Sequence, residues 1–71
     1  MTGASLTVTV NGETRSFGPG TTVDQLVAIV AASSKGIAVA VNAEVVPRSA
    51  WTATALAEAD RIELLTAAQG G

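Results

Sequence analysis

One segment with helical periodicity lies among several segments that alternate with the period of a β-strand. Val23, Leu26, Val27 and Val30 occur at positions i, i+3, i+4 and i+7, so a helix places all four on one face. That face has to be buried, and a helix flanked on both sides by strands buries it most readily against a sheet. This pattern restricts the chain to a small α+β domain in which one helix lies across one sheet.

Both ends of this helix carry residues typical of helix ends. Thr22-Val23-Asp24-Gln25 has the form of a capping box, and Asp24 places a negative charge where the helix dipole favours it. At the other end, Ser33-Ser34-Lys35-Gly36 is predicted to terminate the helix. We expect Lys35 in the last turn and Gly36 in the left-handed conformation just beyond it.

The strand signals surround the helix. Leu6–Val10 alternates apolar and polar residues, Asn11-Gly12 predicts a type I′ turn, and Glu13–Phe17 reads as the returning strand. After the helix, Ile37–Val41 is apolar on both faces, as expected of an inner strand.

The remaining elements follow from shorter signals. Asn42-Ala43-Glu44 predicts a turn into Val45-Val46, a short strand that Pro47 ends or confines to an edge. Ser49–Ala59 is expected to form a short helical turn and a loop. Arg61–Thr66 is the last strand. The predicted order is therefore β-β-α-β-β(short)-β, a mixed sheet with one helix packed across it.

Composition excludes several kinds of function. The 71 residues contain no Cys, His or Tyr, which rules out disulfides, Cys- or His-ligated metal sites and catalysis by Cys or His. The net charge of −2 provides no basic surface for nucleic acid or an anionic membrane. The longest apolar run, Leu26–Ala32, is far shorter than the roughly 20 residues of a membrane helix. With no signal-peptide pattern at the N-terminus, we expect a cytoplasmic protein that works through a partner.

The last five residues, Ala67-Ala68-Gln69-Gly70-Gly71, carry no charge and no large side chain. We expect one domain over residues 1–66 and a flexible tail over residues 67–71. In ordinary composition a Gly-Gly pair ends a chain about once in 200 sequences. The pair therefore gains meaning only together with the β-β-α-β-β pattern that precedes it.

Several short segments match one family pattern along most of the chain. They are Val10–Glu13, Gly20–Val23 with Leu26, Ala40–Asn42, Val46–Arg48 with Trp51, Asp60–Leu64 and Gln69–Gly71. With these segments the chain resembles the ThiS family, the β-grasp (ubiquitin-like) sulfur carriers of thiamin biosynthesis. Two positions depart from the family pattern: Ala59 stands where the family often has Gly, and Ala68 replaces a larger aliphatic residue.

The resemblance implies a carrier that partner enzymes act on, and not an enzyme. An E1-like adenylyltransferase of the ThiF type would use ATP to adenylate the carboxylate of Gly71, and sulfur would then replace one oxygen to give a thiocarboxylate. A thiazole synthase of the ThiG type would take that sulfur to build the thiazole ring. The slim residues Gly70, Gln69 and Ala68 would thread into a narrow channel. No metal or cofactor would be bound by this chain itself.

Alternation along the last strand predicts a docking surface beside the tail. Ile62 and Leu64 are expected to face the helix, which leaves Glu63 and Leu65 facing outward. We expect Leu65 to contact partners, with Glu63 and Arg61 on the same surface. Arg48 is a further candidate, although a solvated surface charge is the simpler explanation for both arginines. Trp51 is expected to close a thin core and not to bind a ligand.

Other functions remain open from the residues. The small subunit of molybdopterin synthase and a sulfur carrier of cysteine synthesis share the tail and its chemistry, and a ubiquitin-like module could bind without covalent chemistry. A small enzyme would depend on carboxylates such as Asp24, Glu44 or Glu58, which form no spaced pair. Polymer formation has a single side-chain attachment point, Lys35.

Overall fold

The computed structural model describes residues 5–31, 33 and 35–66. The strands are β1 (Leu6–Val10), β2 (Glu13–Phe17), β3 (Ile37–Val41), β4 (Glu44–Val46) and β5 (Arg61–Thr66), the helix is α1 (Val23–Val30), and a 3₁₀ helix spans Arg48–Ala53 between β4 and β5. This confirms the predicted element order.

The five strands form one mixed sheet in the order β2-β1-β5-β3-β4. Two hairpins, β1–β2 and β3–β4, flank the central strand β5, which runs parallel to β1 and antiparallel to β3. β3 is therefore an inner strand, as predicted, and β4 is an edge strand that ends one residue before Pro47. A proline suits this position because it cannot donate a ladder hydrogen bond.

The two hairpin turns have left-handed backbone conformations. Asn11 and Gly12 have φ values of 51° and 85°, which confirms the type I′ turn expected from the Asn-Gly pair. Asn42 and Ala43 repeat this geometry between β3 and β4, with φ values of 52° and 71°. Alanine is an unfavourable residue there because its Cβ approaches the neighbouring carbonyl oxygen.

The core lies between α1 and one face of the sheet. Val23, Leu26 and Val27 expose at most 1% of their surface, and Val30 at the end of the stripe is half-buried. The sheet residues buried in the same cluster are Val8, Val10, Phe17, Val39 and Ile62. The apolar stripe read from the sequence is thus the inner face of the helix.

The capping box at the start of α1 is present with both of its hydrogen bonds. The Gln25 backbone N–H donates to Thr22 Oγ1 at 3.4 Å, and the Thr22 backbone N–H donates to Gln25 Oε1 at 3.0 Å. These two bonds satisfy donors that the helix itself leaves without partners.

The predicted end of α1 was wrong. The helix stops at Val30, Ala31 is extended (φ −114°, ψ 142°), and no basic residue lies in the last turn, so Lys35 does not cap it. Instead, the Lys35 N–H donates to Ser33 Oγ at 3.1 Å, a local bond by which serine competes with helix formation. Gly36 does have a positive φ of 69°, but it lies in the turn that leads into β3.

The segment between β4 and β5 closes one end of the core. Trp51 is 2% exposed and its Nε1–H donates to the Val46 carbonyl at 3.0 Å, which confirms its predicted packing role. The Val23 N–H at the start of α1 donates to the Thr54 carbonyl at 2.9 Å. This contact ties the 3₁₀ segment to the helix that it adjoins.

Ala59 supplies a testable consequence of the backbone geometry. Its φ is +69°, which is costly for alanine by about 1–2 kcal/mol and free of cost for glycine. Glycine also increases the entropy of the unfolded chain, which offsets part of the relieved strain. We therefore expect Ala59→Gly to raise the free energy of unfolding by about 0.5–1 kcal/mol. Urea denaturation measures this change.

The matched control is Ala57→Gly, two residues earlier in the same exposed loop and outside the positive-φ set. Here only the entropic cost of glycine applies, so stability should fall. Equal effects of the two substitutions would contradict the argument from φ.

Candidate docking face on the tail-bearing strand

Strand β5 leads directly into the segment that the sequence marks as functional. The predicted tail residues Ala68, Gln69, Gly70 and Gly71 lie outside the described residues. The described part of the site is therefore the strand that precedes them and the face of the sheet around it.

The residues of β5 alternate between the core and solvent as predicted. Ile62 is 1% exposed and Leu64 is half-buried against the core, whereas Leu65 exposes 64% of its surface. Arg61 and Glu63 are also exposed, and by alternation they share the outer face with Leu65. The three residues predicted for docking thus lie on one face of one strand.

The neighbouring strands extend this outer face with apolar residues. Leu65 lies opposite Ala38 of β3, and Glu63 lies opposite Ala40, which in turn lies opposite Val45 of β4. Val45 is 73% exposed. We refer to Ala38, Ala40, Val45 and Leu65 as the outer apolar patch.

Val45 was missed by sequence reasoning, which treated Val45-Val46 only as a short strand. In the structure Val46 packs against the core, and alternation along β4 turns Val45 outward. A two-residue apolar run does not reveal which of its members faces the core until the sheet order is known.

The outer face becomes polar on the other side of β5. The cross-strand pairs there are Thr7 with Ser16 and Thr9 with Thr14. The outer face therefore has an apolar half on β3, β4 and the end of β5, and a hydroxyl-rich half on β1 and β2.

Arg48 lies at the start of the 3₁₀ helix, three residues before Trp51. Its guanidinium carbon lies 5.1 Å from the centroid of the Trp51 ring, a cation–π distance. The arginine thus covers the tryptophan that closes the core, and this contact supplies a structural role for it.

Two asparagines hold β5 in place by their side chains. The Leu64 N–H donates to Asn11 Oδ1 at 2.8 Å, and Asn11 Nδ2 donates back to the Leu64 carbonyl at 3.3 Å. On the other side, the Arg61 N–H donates to Asn42 Oδ1 at 2.9 Å, and Asn42 Nδ2 donates to Asp60 Oδ1 at 2.9 Å. Sequence reasoning identified both residues as turn formers and as parts of family-matching segments, and it did not predict these contacts.

Two other kinds of site are absent from the described residues. These residues contain no pocket and no cluster of three acidic side chains that could hold a metal ion. No helix among residues 5–31, 33 and 35–66 is long and apolar enough to cross a membrane.

Comparison with protein families gives a match to the ThiS family model over residues 8–71, nearly the whole chain. The chain belongs to the ThiS family. This confirms the resemblance found from the sequence motifs. The matched region runs through the Gly-Gly end as well as through the strands and helix described above.

A solved structure has the same fold. The crystal structure of the thiamine biosynthesis protein ThiS from Geobacter metallireducens superposes with a TM-score of 0.80 at 30% sequence identity. The match covers 93% of this chain and 100% of the ThiS chain. The β-grasp fold expected from the resemblance is therefore confirmed.

A curated relative is a much larger protein. The chain is 34% identical over 62 residues to a thiazole synthase from Paramagnetospirillum magneticum. The match covers 87% of this chain but spans only 19% of that protein.

Leu65 and Ile29 form a matched pair for experiments on this face. Ile29 on α1 exposes 63% of its surface, almost the same as the 64% of Leu65, but it lies on the helix and not on the outer face of the sheet. Because both side chains already contact water, we expect Leu65→Ser and Ile29→Ser each to change the free energy of unfolding by less than about 0.5 kcal/mol. Urea denaturation of both variants checks this, and a large loss for Leu65→Ser would show that Leu65 is part of the core.

Proposed function

We propose that this chain is the sulfur carrier of thiazole formation in thiamin biosynthesis. In this role the α-carboxylate of Gly71 is adenylated and then converted to a thiocarboxylate, whose sulfur passes to the thiazole ring. The observation that carries the proposal is the family match, which continues through Gln69-Gly70-Gly71 to the last residue of the sequence.

The residues present suit a carrier. The reacting group is a main-chain carboxylate, so the chain needs no catalytic side chain of its own, and it contains no His or Cys. Adenylation makes one carboxylate oxygen part of a good leaving group. Sulfide-level sulfur from the donor then attacks the same carbon, and AMP leaves with that oxygen. ATP and the sulfur donor belong to the partner, so this chain acts as a protein substrate and not as an enzyme.

Two partners follow from this chemistry. An E1-like adenylyltransferase of the ThiF type would activate Gly71, and a thiazole synthase of the ThiG type would accept the sulfur. The relative from Paramagnetospirillum magneticum supports the second partner, since the matched segment is part of a protein named thiazole synthase. A domain similar to this chain thus occurs within a polypeptide of that name.

The outer apolar patch is the surface proposed for docking. Leu65 is one residue from the end of β5, so a partner that contacts it also lies beside the start of the tail. Val45 adds a second exposed aliphatic side chain. Apolar contacts of this kind offset the cost of ordering the tail, which is about 1–2 kcal/mol for each residue fixed.

The first experiment measures the intact mass of the chain after incubation with its ThiF-type partner, ATP and a sulfur source. We expect a gain equal to the difference between one sulfur and one oxygen atom. Deletion of Gly71 or extension by one residue after Gly71 should abolish the gain and leave the fold intact, because only a free carboxylate on the correct residue can be activated. Normal conversion of the extended chain would overturn the mechanism.

If every active candidate partner leaves the mass unchanged, the chain is better described as a β-grasp binding module. Conversion followed by sulfur transfer to a molybdopterin or cysteine pathway enzyme, and not to thiazole synthase, would keep the carrier chemistry and change the pathway. The acceptor enzyme therefore decides between the three carrier functions.

The Leu65 and Ile29 variants test the docking surface separately from the tail. We expect Leu65→Ser to raise the KM of the activating enzyme for the carrier by about 10-fold, because loss of one buried aliphatic contact corresponds to roughly 1–3 kcal/mol. Ile29→Ser should leave the KM unchanged. Equal KM values for the two variants would place docking elsewhere on the domain.

A further inference from the structure

Asn11 makes three hydrogen bonds to the strand that carries the tail. Besides the two side-chain bonds to Leu64, its backbone N–H donates to the Ile62 carbonyl at 2.9 Å. Asn11 itself is exposed, has a φ of +51° and belongs to the turn that ends β1. The hairpin itself does not require the side-chain bonds of Asn11, which reach Leu64, 53 positions later in the sequence.

The direction of the peptide groups explains what these bonds replace. The carbonyls of Asp60 and Ile62 accept from the backbone N–H groups of Thr9 and Asn11, so alternate residues of β5 direct their peptide groups toward β1. Leu64 is the next in this series. At that level β1 has already turned away into β2, and the Asn11 side-chain amide supplies one acceptor and one donor in place of the missing peptide group.

We propose that Asn11 is a positioning residue for sulfur transfer. Its side-chain bonds to Leu64 hold the end of β5 and so fix the point from which residues 67–71 continue. The proposal rests on the proposed function of the tail. Asn11 touches no reacting atom, and it acts through Leu64, two residues before the end of the described strand.

Loss of this contact would affect partner binding more than chemistry. Without the Asn11 amide, the Leu64 peptide group loses its partners on the β1 side, and the end of β5 samples more conformations. The partner must then order this end together with the tail, which weakens binding. Once bound, the Gly71 carboxylate meets the same active site, so the turnover number should change little.

The chain provides a matched control in Asn42. This residue has nearly the same φ (+52°), occupies the first position of the other hairpin turn, and also makes three hydrogen bonds around β5: with the N–H and carbonyl of Arg61 and with Asp60 Oδ1. Its contacts lie at the start of β5, whereas those of Asn11 lie near the end. Glycine accepts a positive φ in both turns, so Asn11→Gly and Asn42→Gly each remove the side-chain bonds without straining the backbone.

The experiment compares the full chain with each glycine variant in three measurements. These are urea denaturation, amide hydrogen exchange at Leu64 and Arg61, and steady-state kinetics of thiocarboxylate formation with the ThiF-type partner. For Asn11→Gly we expect exchange at Leu64 to accelerate and the KM for the carrier to rise, each by about 2- to 10-fold, with kcat within about 2-fold of the unmodified chain. For Asn42→Gly we expect faster exchange at Arg61 and an unchanged KM.

A purely structural role predicts that both variants raise the KM in proportion to their loss of stability. That result, or an unchanged KM for Asn11→Gly, would overturn the positioning role. If the unmodified chain forms no thiocarboxylate with an active partner, the proposed function fails first and the positioning role fails with it. The behaviour of the unmodified chain therefore separates the two failures.

Discussion

Val23, Leu26 and Val27 bury the inner face of α1 against the sheet, and the other elements are arranged around this contact. Each of these side chains contributes about 1.5–3 kcal/mol of transfer free energy, a large share for a chain with only twenty large apolar residues. A single helix covers only one face of a five-stranded sheet. The opposite face therefore remains in water. Leu65 and Val45 are exposed because no described helix packs on that face.

Local sequence patterns were sufficient to predict most of the fold. Four predicted features involve only residues that are close together in the sequence, and each is present in the structure. They are the apolar stripe of α1, its capping box, the Asn-Gly turn and the alternation of the strands. The outward placement of Leu65 was predictable for the same reason, since one strand with one buried face determines it. The family resemblance added the β-grasp fold, whereas the order of the strands in the sheet came from the structure.

The features that sequence reasoning missed depend on contacts between distant segments. The helix stops at Val30, where Ala31 becomes extended, and the Ser33 hydroxyl accepts a local bond beyond it; the apolar periodicity records neither feature. Val45 joins the outer apolar patch only because β4 lies beside β3. Asn11 and Asn42 look like ordinary turn residues until β5 is placed between the two hairpins. Turn chemistry indicated their backbone conformations, but their side-chain partners lie elsewhere in the sequence.

The central position of β5 has a consequence for the synthesis of the protein. The sheet consists of two hairpins that meet only through this strand, and β5 is the last of the five strands along the chain. The ribosome adds about 5–20 residues per second from the N-terminus, so both hairpins emerge before the strand that joins them. A chain whose translation stops before Arg61 lacks both the joined sheet and the Gly-Gly segment. Such a fragment cannot form the five-stranded sheet, because neither hairpin has the strand that joins it to the other.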